Sequence, residues 1–243
     1  MLCLESLLRS NKWKRGYNRM ILPIVIALIN ILLMAMVCRY WWARFEKSTK
    51  SIQVYANMHR ILMVSLSGFW LLLMLITIPY AVEQDADALI RLIRWNILLW
   101  GTFCISYVDI KERTIPNPCI LALFIIRSVL LVCEVMGNIE FWSDALLYPL
   151  IGMLISGGII GFAMLISHGG IGMGDLKLFL VVGYYVGSRQ IFAVMFYTFL
   201  ISAIAGLVLL VTGKAKPKDT MPMAPFVCAG ILLEYVFLLV GKL

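Results

Sequence analysis

The chain has 243 residues, 62% of them hydrophobic and 14% charged, with a formal net charge of +8. A soluble domain carries about a quarter charged residues, so the composition excludes an ordinary soluble enzyme and places the chain in a lipid bilayer as one polytopic domain. In that setting excess Lys and Arg sets orientation and meets anionic head groups, and it is not read as nucleic-acid binding.

Spanning a bilayer takes about 20 mostly apolar residues. Eight candidate segments follow in chain order: 21–38, 61–82, 89–108, 119–136, 145–167, 176–187, 190–212 and 224–241. The fold expected is therefore an all-α polytopic membrane protein of about eight transmembrane helices. The sixth segment is short. It crosses a thinned region, lies tilted under covering neighbours, or is half of a broken helix. In the fifth, Gly157 and Gly161 stand one turn apart, a small-xxx-small face suited to close helix packing.

Orientation follows from the basic residues of the short loops. One alternating set carries eleven: Arg39, Arg44, Lys47, Lys50, Arg60, Lys111, Arg113, Lys177, Lys214, Lys216 and Lys218. The other set carries Arg91, Arg94, Arg189 and Lys242, with acids at Glu83, Asp85, Asp87, Glu140 and Asp144. The first set is assigned to the cytoplasm. Residues 1–20 contradict the alternation with Arg9, Lys12, Lys14, Arg15 and Arg19. Either segment 21–38 does not span, or later helices dominate, or translation starts at Met20, the reading preferred here. No small-residue cleavage site follows the first apolar run, so it is not read as a signal peptide.

The six cysteines are scattered without a CxxC pair, so no metal knuckle or thiol redox motif is expected, and Cys38, Cys104, Cys119, Cys133 and Cys228, in or at the ends of apolar runs, read as small hydrophobes. His59 and His168 read as interfacial polar residues. Arg127, about eight residues into the fourth segment, costs roughly 2.5–3.5 kcal/mol on insertion scales. It either snorkels or faces a wet cavity, or it binds substrate.

Two stretches carry candidate chemistry. Gly172-Met173-Gly174-Asp175-Leu176-Lys177 sets a carboxylate at the edge of the sixth segment. By itself this reads equally as a helix cap. The second stretch, Asp109 to Pro118, follows the third segment. Pro116 and Pro118 there disfavour helix at the residues before them, and Pro118 suits the first turn of the next helix. The topology puts Asp109 and Asp175 at one depth on one face. Two carboxylates at the edge of a low-dielectric region cannot both ionise cheaply, so the pair shares a proton. One then activates water while the other polarises a scissile carbonyl. Gly172 and Gly174 would let the backbone approach a substrate. Glu112 and Asp219 rank below the pair because each lies among exposed basic residues.

The pattern Asp109…Ile115-Pro116-Asn117, then Gly172-Met173-Gly174-Asp175-Leu176-Lys177, resembles the type IV prepilin peptidases, which are GxGD intramembrane aspartyl proteases. The resemblance covers residues 89–241. It divides the chain into residues 1–88, a basic arm with two transmembrane segments, and residues 89–243, a six-segment peptidase core. It further implies Asp109 and Asp175 as catalytic residues, with Gly172, Gly174, Lys177, Ile115, Pro116 and Asn117 shaping the site. A proline-rich loop before the last helix, here Pro222-Met223-Ala224-Pro225-Phe226, departs from the family's PFGPF but implies Pro222 and Pro225 as further site-shaping residues.

The implied substrate is a prepilin or pseudopilin, cut after the glycine of a short basic leader at the cytoplasmic face of a bacterial inner membrane. Many members also methylate the new N-terminus with S-adenosylmethionine and carry two CxxC pairs in the first cytoplasmic loop. Here that loop is 39–60 and holds no cysteine, so neither zinc nor S-adenosylmethionine is expected. The alternative reading is a non-enzymatic transport or pilus-assembly component that uses the carboxylates as an ion site. A methyltransferase without peptidase activity is a more remote third. Client, oligomeric state and type of pilus or secretion system are left open by the sequence.

Overall fold

The computed structural model describes residue 68 and residues 86–137, 142–167, 170–213 and 221–240. Segment 21–38, segment 61–82 apart from residue 68, the loop 39–60, the N-terminal arm, His59, His168 and Asp219 lie outside the described residues. The chain divides into two compact units, Met1–Asn96 and Ile97–Leu243, and the packing below is that of the second.

Among the described residues six helices follow in order: α1 Ala86–Glu112, α2 Asn117–Gly137, α3 Trp142–Ile166, α4 Met173–Val186, α5 Ile191–Val211 and α6 Ala224–Val240. They correspond to the third through eighth expected segments. Among the described residues there is no strand. The stretches Asn117–Met136, Ala145–Ile166 and Ile191–Val211 are long and apolar enough to cross a membrane. The count of eight spans reaches beyond what is described.

Helix α1 continues past its apolar run and ends on charged residues, so Asp109 lies inside its last turn rather than after it. Leu98, Leu99, Thr102, Ile105, Ser106 and Asp109 are all buried. Their spacing of one, three and four residues forms a single helical stripe, and Asp109 is the last member of it. Thr102 and Ser106 return their hydroxyls to the carbonyls of Leu98 and Thr102, at 2.8 and 2.6 Å, which satisfies them inside an apolar interface. The helix stops at Arg113, whose φ of 51° is left-handed and whose N–H bonds the Asp109 carbonyl at 2.9 Å. The chain then turns into the Ile115-Pro116-Asn117 corner. The Pro116 carbonyl accepts the N–H groups of Cys119 and Ile120, with Pro118 in the first turn of α2 as expected.

Helix α4 is the centre of the arrangement. It has 14 residues, so it rises only about 21 Å. Every residue from Leu178 to Val186 except Leu180 is buried, which is the burial of a helix surrounded by others. Of the readings offered for this short segment, covering by neighbours is the one observed. Helix α3 runs antiparallel beside it: Gly152 meets Gly183, Gly157 meets Leu180, and Gly161 approaches Leu176. A methyl group on Gly183 would collide with the Gly152 carbonyl and the Ser156 hydroxyl. The tightest crossing is therefore Gly152–Gly183, one step along α3 from the Gly157–Gly161 pair singled out in the sequence. Gly157 does take Leu180 at close range, whereas Gly161 sits looser, since a Cβ added there would lie 3.9 Å from Leu176 Cδ1. Close backbone approach of this kind is how helices associate where lipid supplies no hydrophobic drive.

Gly187, at φ 81°, ends α4 and donates to Gly183 O at 2.8 Å. Ser188 then donates its N–H to Tyr148 O, and Arg189 bonds the Tyr148 hydroxyl at 2.8 Å, tying this turn to α3. Helix α5 buries Ile191, Val194, Met195 and Thr198 and leaves Phe192, Phe196, Leu200, Ile204 and Leu207 exposed, a face suited to acyl chains.

Candidate active site

Asp109 reaches its position from the end of a buried stripe, and it is 5% exposed. Its Oδ2 accepts the backbone N–H of Ala224 at 2.9 Å. Ala224 is the first residue of α6, and Pro225 behind it has no N–H to give. The next donors in that turn, Phe226 and Val227, are taken by the Met223 carbonyl. The Ala224 N–H at this helix N-terminus is thus left for Asp109, which caps it from 115 residues away in the chain. The bond pins the end of α1 to the start of α6.

Asp175 is the third residue of α4, and the helix is preceded by Gly172 in an extended conformation. Gly172 donates its N–H to Asp175 Oδ2 at 3.3 Å, the backward half of a capping box. The forward half needs a side chain that glycine lacks. The cap reading of this stretch is thus adjusted: Asp175 is not the N-cap residue but reaches back to it. The carboxyl is half-buried. Burial pushes the Asp175 carboxyl up from the ordinary value of 3.8, the Gly172 N–H pulls it down, and the Asp109 charge adds to the rise.

The two motifs interlock. A Cβ placed on Gly174 would lie 3.1 Å from Ile115 Cβ, so the absence of a side chain at 174 lets the α1–α2 corner seat on α4. Lys177 Nζ donates to Asn117 Oδ1 at 3.1 Å, a second link between the same elements. Ile115 and Asn117 therefore place the corner that follows Asp109 directly against the turn carrying Asp175. Pro116 opens α2 between them. Gly174 meets protein here, where the sequence reading gave it close approach to a substrate. Gly172 has φ −75°, a conformation open to other residues, and no atom closer than 3.4 Å to an added Cβ. Pro222 is half-buried and precedes the loop's delivery of Ala224.

Sequence reasoning missed the Ala224 amide. The available signal was Pro225, because proline in a first turn marks a helix N-terminus and removes one competing donor. Glu112 is exposed at the end of α1, in line with its lower ranking. Among the described residues no three His, Cys, Asp or Glu side chains gather as a metal-binding group.

Arg127 neither snorkels nor reaches the carboxylates. It is fully buried, with Nε donating to Tyr184 O at 3.0 Å and Nη2 paired to Glu134 Oε2 at 3.0 Å. The guanidinium also lies 5.4 Å from the Tyr184 ring centroid. Tyr184 is in the last turn of α4, where carbonyls lack helical partners. Water cannot satisfy them inside a bilayer. Arg127 satisfies one of them, Tyr184 O, and its charge complements the negative end of the α4 dipole. Tyr185 adds a hydroxyl bond to Leu123 O at 2.9 Å, so α2 grips α4 at both ends.

Residues 96–211 match the Type IV leader peptidase family. This bears out the resemblance read from Asp109 and the Gly172–Lys177 stretch. A Bacillus subtilis (strain 168) protein named prepilin leader peptidase/N-methyltransferase is 32% identical over 133 residues, covering 55% of this chain and 51% of its own. Proteins of the same name from Stutzerimonas stutzeri and Pseudomonas aeruginosa are each 24% identical over 131 residues, covering 54% of this chain and 44% of theirs. The matched region spans about half the length of these relatives. No solved structure matches.

Proposed function

We propose that this chain, related over residues 96–211 to the Type IV leader peptidase family, is an aspartic endopeptidase that removes the basic leader from type IV prepilins or pseudopilins. The observation that carries the reading is geometric: Asp109 is held on the Ala224 amide, the corner that follows it seats Ile115 on Gly174 and Asn117 on Lys177, and Asp175 lies between Gly174 and Lys177 in that same turn. The reading places the protein in a bacterial inner membrane as a multi-pass protein, with the pair at the cytoplasmic face. The surrounding partner is the lipid bilayer.

The chemistry follows from the two environments. Asp109, as the carboxylate accepting the Ala224 N–H, takes a proton from water as the water oxygen bonds to the scissile carbonyl carbon. Asp175, in its protonated form, gives its proton to the carbonyl oxygen. Collapse of the tetrahedral species breaks the C–N bond. The proton held by Asp109 passes to the leaving amine, which becomes the N-terminus of the mature pilin, and Asp175 recovers its proton from the new hydroxyl. Scission after the leader's last glycine puts the cut at the depth of the pair.

The reading stops at peptide hydrolysis. Loop 39–60 contains no cysteine, and no zinc or S-adenosylmethionine is invoked. Transfer of a labelled methyl group from S-adenosylmethionine to cleaved pilin would overturn that restriction. The peptidase itself is tested by co-expression with a prepilin. The intact chain should produce the faster-migrating mature form, and Asp109→Asn or Asp175→Asn should leave the precursor uncut while still accumulating in membranes.

A further inference from the structure

The buried stripe of α1 that ends at Asp109 carries two hydroxyls, those of Thr102 and Ser106. Both give their hydrogen to carbonyls of α1 itself, Thr102 to Leu98 O and Ser106 to Thr102 O. Each oxygen keeps a lone pair able to accept a further bond. The donor set against them is the buried thiol of Cys228 on α6, which bonds to the side chains of both. Cys228 follows Ala224 by one helical turn, so thiol and amide lie on one face of α6. The two helices therefore meet antiparallel at two levels, Asp109 with the Ala224 N–H, and Ser106 and Thr102 with Cys228. On the opposite side of α6, a methyl group on Gly230 would collide with Thr198 and the Val194 carbonyl of α5. Helix α6 is thus wedged between α5 and the stripe that ends in Asp109.

We infer that the contact of Cys228 with Ser106 and Thr102 is a register pin that holds the Ala224 amide on Asp109, which makes these three the positioning residues of the carboxylate site. The inference rests on the peptidase reading above. The Asp109–Ala224 bond spans 2.9 Å, and a slide of α6 by one residue moves the amide by about 1.5 Å, enough to break it. Apolar packing gives little resistance to such a slide inside a bilayer, because lipid is as apolar as the side chains it would replace. A polar contact does resist it. The thiol would lose its acceptors where no water is present to replace them. A single polar position in an apolar helix interface fixes register in this way. The pin stands one turn, about 5.4 Å, from the bond it protects, so the placement of Cys228 carries over directly to Ala224.

The test uses the full-length chain purified in detergent, with kcat and KM measured on a type IV prepilin. Cys228→Ala is expected to lower kcat at least fivefold with KM held within twofold. Cys228→Ser restores a donor of similar reach and should recover at least half of the parent kcat. A double-mutant cycle with Ala224→Pro separates positioning from general support of the fold. Once the amide is gone the pin has nothing to hold, so Cys228→Ala should then cause no further loss. Replacing the acceptors instead, by Thr102→Val together with Ser106→Ala, should match the loss from Cys228→Ala, and it carries the test if Cys228→Ala does not accumulate in membranes. An unchanged kcat in Cys228→Ala, Cys228→Ser as slow as Cys228→Ala, or losses that multiply in the Ala224→Pro background overturn the pin while leaving the peptidase intact. Failure of the unsubstituted chain to cut the prepilin overturns the peptidase reading, and the positioning role with it.

Discussion

Asp109 and Ala224 are joined by a 2.9 Å hydrogen bond from a backbone amide to a buried carboxylate, linking the end of α1 to the start of α6. The bond gives the proline-rich loop a chemical task. Replacing Ala224 by Pro removes the N–H at a first-turn position where proline's φ is compatible with helix. A hydrogen bond to a charged group contributes about 1.5–3 kcal/mol. On the peptidase reading, its loss from Asp109 should lower kcat/KM roughly ten- to hundredfold, with Ala224→Gly as the control that keeps the amide. Peptide cleavage in detergent measures both.

The two glycines of the Gly172–Asp175 stretch should behave differently. A methyl at 174 meets Ile115 Cβ at 3.1 Å, and overpacking costs about 1–3 kcal/mol. Gly174→Ala is therefore expected to displace the corner and reduce cleavage at least tenfold. Gly172→Ala, with no contact under 3.4 Å and an extended backbone, should retain most activity. Comparing their initial rates at matched protein levels decides this.

Asp175 also makes a prediction about pH. Its folded-state carboxyl is raised, so it binds a proton more tightly folded than unfolded. The stability it contributes is fully present below 3.8 and is lost as pH rises through the raised value. Asp175→Asn removes that loss. The variant should gain stability relative to the parent as pH rises from 3.8 towards neutrality, and should match it at lower pH. Thermal unfolding across pH provides the comparison. Isotope-edited infrared spectra of the Asp109→Asn variant should show Asp175 deprotonating at lower pH, because the neighbouring charge has gone.

Arg127 should prove structural. Breaking a buried pair by removing one partner costs about 3–5 kcal/mol. Arg127→Met also leaves Tyr184 O unbonded at the end of α4. The variant should unfold at markedly lower temperature, and Glu134→Leu in the same chain should restore part of the loss. Additive losses in a double-mutant cycle would contradict direct pairing.

The sequence made six helices legible because apolar runs are dense and punctuated by charge, glycine and proline. It also made the carboxylate pair legible, since Asp109 and Asp175 are acids at the ends of apolar segments. What it hid depended on which residues meet. Asp109 lies inside its helix because the Leu98–Ser106 stripe carries burial one turn further than hydropathy does. The pairing of Arg127 with Glu134 joins residues seven apart on one helix, and no short motif marks it. The Gly152–Gly183 crossing joins two glycines from different segments, neither conspicuous alone. The Ala224 amide has no side-chain signature at all.

The central claim is that Asp109 and Asp175 together hydrolyse the bond between leader and helix. The most direct measurement is mass spectrometry of a purified prepilin incubated with the purified chain in detergent and with each single Asn variant. The account predicts one cut, directly after the leader's last glycine, by the unsubstituted chain, and no product from Asp109→Asn or Asp175→Asn despite intact folding. Full processing by either variant, or a cut elsewhere in the substrate, would contradict it.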